Sequence, residues 1–468
     1  MPCVRPDRRA RGLLATAVAL AASLSLVHAQ TVATAWTPLS PLTGQAQEQR
    51  TYTLEQLLTL ALSINPKNRG IEEQAQQARL ATSLVKSQYA PQIDFKTLAG
   101  IQHTPLAIPE TVSPRGYFVS HAREVLPSLE LKWLLFDFGR RKGQLEEAQQ
   151  NALAAEAGLT GEQEKLVFDV SKAYFTASAA QGKVRAAGKA LQAAQLTEQA
   201  VAAQRRHGRA TVVQMAEAHR QTAAAQLGLT KASGDDATAM ATLAAVVGLP
   251  PAQDFRLATP RDSDVAQTHL EPLRILIDQA MDARPDILAA QDKVAAAEAA
   301  VHTAHAAYRP TIGIQATVFQ NIGETSSDGS PYSHIDREGN SVFLAFDLPL
   351  ADGGARATHV AIANSQRDQA EDELADARNN ATRQVVQSWN DLKTSLDNRR
   401  QALDYTHAAE LAYQASLDAY RHGLSSINDL TNDEAALAQA EASQEDADAG
   451  VMIASAALAL AVGTKPQP

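Results

Sequence analysis

The chain of 468 residues has one cysteine, Cys3, and only 5% aromatic residues. A single cysteine excludes an internal disulfide and the clustered thiolates of zinc or iron–sulfur sites. The net charge of −10 argues against a nucleic-acid partner, which would need clustered basic residues. The sequence also lacks a Gly-rich phosphate loop, a metal-binding Cys/His spacing and a Gly-x-Ser-x-Gly motif. We therefore expect no catalytic site, no metal site and no cofactor.

The N-terminus has the composition of a secretory signal peptide. Several arginines precede an apolar segment, residues 13–26, and Val27-His28-Ala29 fits a small-x-small cleavage site. We interpret residues 1–29 as a signal peptide and residues 30–50 as a flexible, polar lead-in. Cleavage would remove Cys3. No later apolar run reaches the roughly 20 residues that a membrane-spanning helix needs.

A long segment without proline, Arg140 to Arg206, is rich in alanine, glutamine, glutamate, lysine and leucine. These residues lose little side-chain freedom in a helix. At about 1.5 Å per residue, one continuous helix would be about 100 Å long. A lone helix of that length cannot bury its apolar positions, so it must pack lengthwise against neighbours.

The second half of the chain repeats the first. The tripeptide Arg206-His207-Gly208 returns as Arg421-His422-Gly423. Such self-similarity over half a chain is typical of an internal duplication. We predict one copy of the same structural plan in residues 51–260 and a second copy in residues 261–468.

Each half contains two segments in which apolar and polar residues alternate, the pattern of a half-buried strand. We predict four strands of about 10 residues each, the length that a tilted strand needs to cross a bilayer. Loops are expected over residues 103–124 and 321–340. The apolar positions include Ile93, Phe95, Leu129, Leu131, Trp133 and Leu135 in the first half and Ile312, Ile314, Val342, Leu344 and Phe346 in the second.

Each strand pair leads into a long helix that turns at Arg-His-Gly and returns. We predict the long helices over residues 140–206 and 355–421, and the returning helices over residues 212–247 and 427–462. The glycine of each turn is expected to take a left-handed conformation, which ends a helix. The many Asp and Glu residues are expected on polar helix faces exposed to water.

Four strands are too few to close a membrane barrel, since the smallest known barrels have about eight. An open strand edge in lipid leaves backbone groups unpaired, at several kcal/mol each. At least two chains would therefore have to share one barrel. The alternative is a soluble periplasmic coiled-coil scaffold or adaptor-like protein, which has no need for an open apolar strand face.

The duplicated helix–strand–strand–helix–helix plan resembles the TolC-like outer-membrane efflux proteins of Gram-negative bacteria. The similar segments include Leu135-Phe136-Asp137-Phe138-Gly139-Arg140 and the turn from Tyr420 to Leu430. The resemblance implies a mainly α-helical homotrimer with a shared 12-stranded membrane β-barrel, four strands from each chain, and a periplasmic α-helical coiled-coil tunnel. It implies an outer-membrane exit duct that passively exports small molecules or proteins, for a tripartite efflux pump or a type I secretion system.

The resemblance also implies partners and site residues. The partners are a periplasmic adaptor (membrane fusion) protein, an inner-membrane transporter and outer-membrane lipid. Adaptor docking is expected at the two turns, through Arg206, His207, Gly208, Arg421, His422, Gly423 and Ser425.

At the narrow end of the tunnel the family often has two aspartates, three residues apart. Asp429 matches the first of them, but Asn432 holds the second position, so the constriction is less acidic than the family pattern. A ring of Asp429 carboxylates would still attract cations and resist anions. The periplasmic gate is therefore expected at Asp429 and Asn432.

Overall fold

A computed structural model describes residues 51–109, 111, 114–250, 255–258 and 270–464. The expected signal peptide and lead-in, residues 1–50, lie outside the described residues. From Thr51 onward the chain forms one compact unit. The boundary expected between the two repeats, near residue 260, also falls outside the described residues and stays a prediction.

The helices of the two halves correspond one to one. Their lengths of 11, 22, 67 and 36 residues recur in the same order, which confirms the duplication. The helices of the first half are α1 Leu54–Ile64, α2 Pro66–Ser87, α3 Arg140–Arg206 and α4 Val212–Val247. Those of the second half are α5 Leu273–Ala283, α6 Pro285–Ala306, α7 Ala355–Arg421 and α8 Ile427–Val462.

The helix ends follow from local capping chemistry. Thr53 and Gln56 form a capping box at the start of α1. The returning helices end at Gly248 and Gly463, which have positive φ angles of 94° and 78°. Both glycines lie close to backbone atoms, with a Cβ on Gly463 placed 3.0 Å from the Cα of Arg284. Within the described chain, none of these helices is both long and apolar enough to cross a bilayer.

The strands form two sheets. A short parallel pair joins β1 Thr51–Tyr52 to β4 Arg256–Leu257. The main sheet is antiparallel, with the strand order β2–β3–β5–β6. Its strands are β2 Gln92–Ala107, β3 Tyr117–Phe136, β5 Thr311–Ser327 and β6 Ser333–Asp347.

The predicted strand length was wrong, and so were the predicted loops. The four strands have 16, 20, 17 and 15 residues. Pairing continues through both expected loops, for example from His103 to His121 and from Asn321 to Arg337. Backbone hydrogen bonds need no apolar side chain, so a strand can extend beyond the segment whose alternation marks a half-buried face.

One face of the main sheet is continuously apolar across its strands. Trp133 pairs with Ile314, and Ile314 pairs with Leu344 on the next strand. Leu344 is 71% exposed and Phe95 is 69% exposed. On the opposite face Lys96 Nζ lies 2.6 Å from Glu130 Oε2. The sheet thus presents a large apolar surface on one side and ion pairs on the other.

The helices lie side by side in the same order as the strands to which they connect. Next to the sheet the order is α2–α3–α6–α7, and toward the turns it is α4–α3–α8–α7. The sheet ends at β2 and β6, and the helical layer next to it ends at α2 and α7. Each layer therefore has two free edges. On one side they are formed by α2 and the strand that follows it, β2, and on the other side by β6 and the helix that follows it, α7.

The two larger core clusters of the described chain are equivalent, one for each half. The first joins α1, α3 and α4 through Leu57, Val170 and Leu243. The second joins α5, α7 and α8 around Leu276, Val385, Leu392 and Val451. In each cluster, an aromatic side chain also donates a hydrogen bond to the backbone of the chain between α4 and α5. Tyr174 Oη donates to the carbonyl oxygen of Ala258 at 2.6 Å, and Trp389 Nε1 donates to that of Glu271 at 2.9 Å.

An Asp–Arg pair fixes each long helix to the sheet. Asp137 Oδ2 accepts hydrogen bonds from Arg141 N at 2.9 Å and from Arg141 Nε at 2.8 Å. The Arg141 guanidinium also donates to the carbonyl oxygen of Leu134 at 2.8 Å. Asp352 and Arg356 repeat this corner in the second half. The carboxylate thus caps the first turn of the helix while the guanidinium binds the end of the strand.

Candidate functional site at the hairpin turns

The first hairpin turn joins α3 to α4 and is closed by glycine. Gly208 has a φ angle of 72°, which would cost a residue with a Cβ about 1–2 kcal/mol. Its N–H donates to the carbonyl oxygen of Arg205 at 2.9 Å, and the N–H of Arg209 donates to that of Gln204 at 2.9 Å. The turn thus satisfies carbonyl groups that the end of α3 would otherwise leave free.

The second turn joins α7 to α8 with the same geometry. Gly423 has a φ angle of 73°, and its N–H donates to the carbonyl oxygen of Tyr420 at 3.0 Å. His422 Nδ1 donates to the carbonyl oxygen of Asp418 at 2.8 Å, so this histidine helps to end the helix. Among the described residues, no group of three or more His, Cys, Asp or Glu side chains is placed to hold a metal ion.

The two turns lie together because the hairpins pack against each other near their ends. Ile427, the first residue of α8, forms a small buried cluster with Val201 of α3 and Ala218 of α4. Tyr420 Oη also lies 3.5 Å from Gln204 Oε1. Burial raises the pKa of Tyr420, so the hydroxyl stays neutral and available as a donor. The end of the second hairpin is therefore attached to the first.

The structure brings the expected docking residues to one exposed end of the helical layer. Six of them are exposed to solvent and Ser425 is half-buried. The exposed six are Arg206, His207, Gly208, Arg421, His422 and Gly423. With Arg205 and Arg209, which are also exposed, they make this end basic.

This surface also has an apolar part, which was not predicted from the sequence. Val212 is 67% exposed, Val213 is 77% exposed and Leu424 is 83% exposed. The two valines follow the N-cap Thr211 directly, so they occupy the first turn of α4. Side chains there point past the end of the helix as well as sideways. The sequence signal was the capping box of Thr211 and Gln214, which predicts that the helix starts at the valine pair directly after Thr211.

Asp429 and Asn432 are both exposed, three residues apart on one face of α8. Asp429 also belongs to the capping box at the start of α8, where its carboxylate accepts from Ser426 Oγ at 2.7 Å and from Ser426 N at 3.0 Å. These hydrogen bonds hold the pKa of Asp429 below its usual range. The carboxylate therefore remains ionised at neutral pH and available to cations.

A buried carboxylate lies close to this site and contradicts the expectation that acidic residues occupy polar helix faces. Glu434 is only 4% exposed. Neither of its carboxylate oxygens has a hydrogen-bond partner in the described part of the chain. Burial raises the pKa of Glu434 to about 7. The sequence carries a signal for it, because Glu434 continues the helical spacing of Ile427, Leu430 and Thr431.

The family model described as "Outer membrane efflux protein" matches residues 57–249 and 276–464 of this chain. The two matched segments cover both halves of the duplication, from α1 to the end of α4 and from α5 to the end of α8.

Among individual proteins, the chain is 27% identical over 418 residues to the outer membrane efflux protein BepC of Brucella suis biovar 1, strain 1330. That match covers 86% of this chain and 84% of BepC. The cation efflux system protein CusC of Escherichia coli strain K12 is 26% identical over 320 residues, 67% of either chain. A solved structure of CusC has a TM-score of 0.73 at 21% identity and covers 90% of this chain and 95% of its own. It shows the same fold.

Proposed function

We propose that this chain, which belongs to the outer membrane efflux protein family, forms the exit duct of a multi-protein export machine. The protein is located in the outer membrane, as its relatives are. The observation that carries the proposal is the sheet, whose apolar face is open and whose two outer strands, β2 and β6, each have one edge that no other described strand pairs with. The soluble scaffold considered as an alternative has no use for such a face.

The sheet is suited to closure by further copies of the same chain. Its free edges are β2 and β6, and their directions in the sheet are opposite. When copies are related by rotation about the barrel axis, β2 of one therefore lies antiparallel to β6 of the next. That pairing satisfies the edge hydrogen-bonding groups, which lipid cannot do. Three copies would give the 12 strands that the family resemblance implies.

The helices would continue the same wall into the periplasm. Their order next to the sheet matches the strand order, so the free edges at α2 and α7 stand beside the free edges at β2 and β6. Rotation that joins the sheets would also join the helical layers. The result is a water-filled tunnel that leads from the hairpin turns to the barrel and uses no energy of its own.

The exposed turns are the surface at which we propose that a periplasmic adaptor docks and connects the duct to an inner-membrane transporter. They combine exposed apolar side chains, Val212, Val213 and Leu424, with basic ones such as Arg206 and Arg421. Apolar contacts surrounded by charges are the usual composition of a specific protein interface. A partner surface with apolar side chains and carboxylates would be complementary.

Near these turns, copies of Asp429 from several chains would form a ring at the entrance of the tunnel. The carboxylate is exposed and ionised, and Asn432 follows on the same helix face without a charge. One ring of negative charge would favour cations over anions and bind multivalent cations.

Electrical recording from the purified protein in planar lipid bilayers tests the proposal. We expect discrete conductance steps, a preference for cations, and block by magnesium ions added on the side of the turns. Extraction from membranes should need detergent. A protein that dissolves without detergent and produces no steps would contradict the duct and support the scaffold.

A further inference from the structure

The first turns of α8 bury one face in the bundle. Ile427, Leu430, Thr431 and Glu434 are each at most 4% exposed. Their spacing of three, one and three residues places them on one side of a helix. Three of these side chains are apolar or neutral, and the fourth is a carboxylate in the position where a helical interface normally has an apolar residue.

Nothing in the described part of the chain compensates this carboxylate. Neither oxygen of Glu434 accepts or donates a hydrogen bond, and both are inaccessible to water. Burial of a charged carboxylate without a partner is far more costly than burial of the neutral acid. The packed arrangement of α8 is therefore compatible with protonated Glu434 and opposed by its ionised form.

The groups around Glu434 do not neutralise it. A cavity of about 570 Å³ lies between α3, α4 and α8, and Glu434 is part of its wall. On α7, burial raises the pKa of the Tyr413 hydroxyl, Glu434 is near enough to raise it further, and Arg421 lowers it. The charged side chains of the cavity wall are Lys183 of α3 and Arg220, Lys231 and Asp235 of α4. Lys183 is paired with Asp446, and Arg220 with Glu217.

We propose that Glu434 is a proton-sensitive latch that holds the start of α8 against α3 and α4. Protonated, it remains in the interface and the hairpins stay packed. Ionised, it favours an arrangement in which α8 moves away and the carboxylate reaches water. Because α8 also carries Asp429, this movement would widen the entrance to the duct. That last step rests on the proposed function, whereas the latch itself is a property of the helical bundle.

The direction of the pH dependence follows from the pKa of Glu434, which burial raises from 4.5 to about 7. Between these values the packed state binds more protons than a state with exposed Glu434. The preference for the packed state is therefore complete below about pH 4.5, falls as pH rises, and is lost above about pH 7. Each pH unit changes the equilibrium up to tenfold, which gives a limit of about 300-fold over the interval.

Hydrogen–deuterium exchange of the detergent-solubilised protein tests the latch. The readout is protection of the amides in residues 427–440, measured at pH 5 and pH 8 and corrected for the intrinsic pH dependence of exchange. In the unaltered protein we expect protection to fall by up to about 70-fold between pH 5 and pH 8, because part of the total change already occurs below pH 5. Glu434→Gln, which resembles the protonated acid in size and neutrality, should stay protected at both pH values.

Glu410→Gln is the matched control, because Glu410 is an exposed carboxylate on α7. It removes the same charge from the surface and should keep the pH dependence of the unaltered protein. Equal protection at pH 5 and pH 8 in the unaltered protein would overturn the latch, whether or not the Gln variant folds. So would an unchanged pH dependence in Glu434→Gln. A protein whose amide protection depends on pH as expected, but which forms no conducting pore, would support the latch and contradict the proposed function.

Discussion

Asp429 accepts hydrogen bonds from both the backbone N–H and the hydroxyl of Ser426, at 3.0 Å and 2.7 Å. The carboxylate proposed for the gate therefore also belongs to the capping box that stabilises the start of α8. In the first hairpin, Thr211 and Gln214 form the same capping box with an uncharged side chain. Gln214 occupies the same position in α4 as Asp429 in α8. A glutamine at position 429 should therefore keep the capping hydrogen bonds without the negative charge.

The variant Asp429→Gln should keep α8 intact and weaken block of the pore by magnesium ions roughly tenfold, because the ring of charge is gone while the cap remains. Single-channel recording at several magnesium concentrations measures the block, and circular dichroism checks the helix. Asp429→Ala should weaken the block equally but also fray the start of α8. Unchanged block in both variants would place the constriction elsewhere.

The corner between β3 and α3 should be important for stability. Asp137 and Arg141 are both less than 10% exposed, and removal of one partner leaves the other charge buried. We expect Arg141→Ala to lower the free energy of unfolding by about 3–5 kcal/mol. Lys142→Ala is the neighbouring control, since its ion pair with Glu146 is exposed and should contribute less than about 1 kcal/mol. Denaturant unfolding of both variants makes the comparison, and equal effects would contradict the role of the corner.

Close packing of α3 against α6 depends on a glycine. A Cβ on Gly143 would lie 3.1 Å from the carbonyl oxygen of Ala299 and 3.2 Å from Thr303 N, both backbone atoms. Gly143→Ala should therefore destabilise the protein by about 1–3 kcal/mol. Gly158→Ala, in the same helix with no atom within 4 Å of the added Cβ, should stabilise it by about 0.5–1 kcal/mol. Thermal unfolding measures both shifts, and a shift of the same sign in the two variants would be inconsistent with this packing.

The exposed apolar residues at the turns should matter for export and not for folding. A charge at Val213 or Leu424 would have to be desolvated on docking, so Val213→Asp and Leu424→Asp should lower export by at least tenfold. Conductance and thermal stability should stay unchanged. Leu196→Asp is the control, because Leu196 is 59% exposed but lies on α3, which is not at an edge of the helical layer, and about 10 residues before the turn. Resistance of cells to exported compounds gives the readout, and an equal loss in the control would show that the turns have no special role.

Sequence reasoning succeeded where a local signal fixes the structure. The bounds of α3 and α7 were predicted correctly, because a proline-free run ends at a glycine that takes a positive φ. It failed where strand pairing or helix packing determines the structure. The extension of β3 beyond the apolar band depends on backbone bonds to β5, and the burial of Glu434 depends on which face of α8 meets α3. Neither β5 as the partner of β3 nor α3 as the partner of α8 can be recognised from the sequence of one segment alone.

The most direct test of the account is the number of copies that share one barrel. An electron cryomicroscopy map of the purified protein in lipid nanodiscs measures this number together with the strand pairing. We predict three copies in a closed barrel of 12 strands, with β2 of each chain hydrogen-bonded antiparallel to β6 of the next. A particle with one chain, or a sheet whose β2 and β6 edges stay unpaired, would contradict the shared duct.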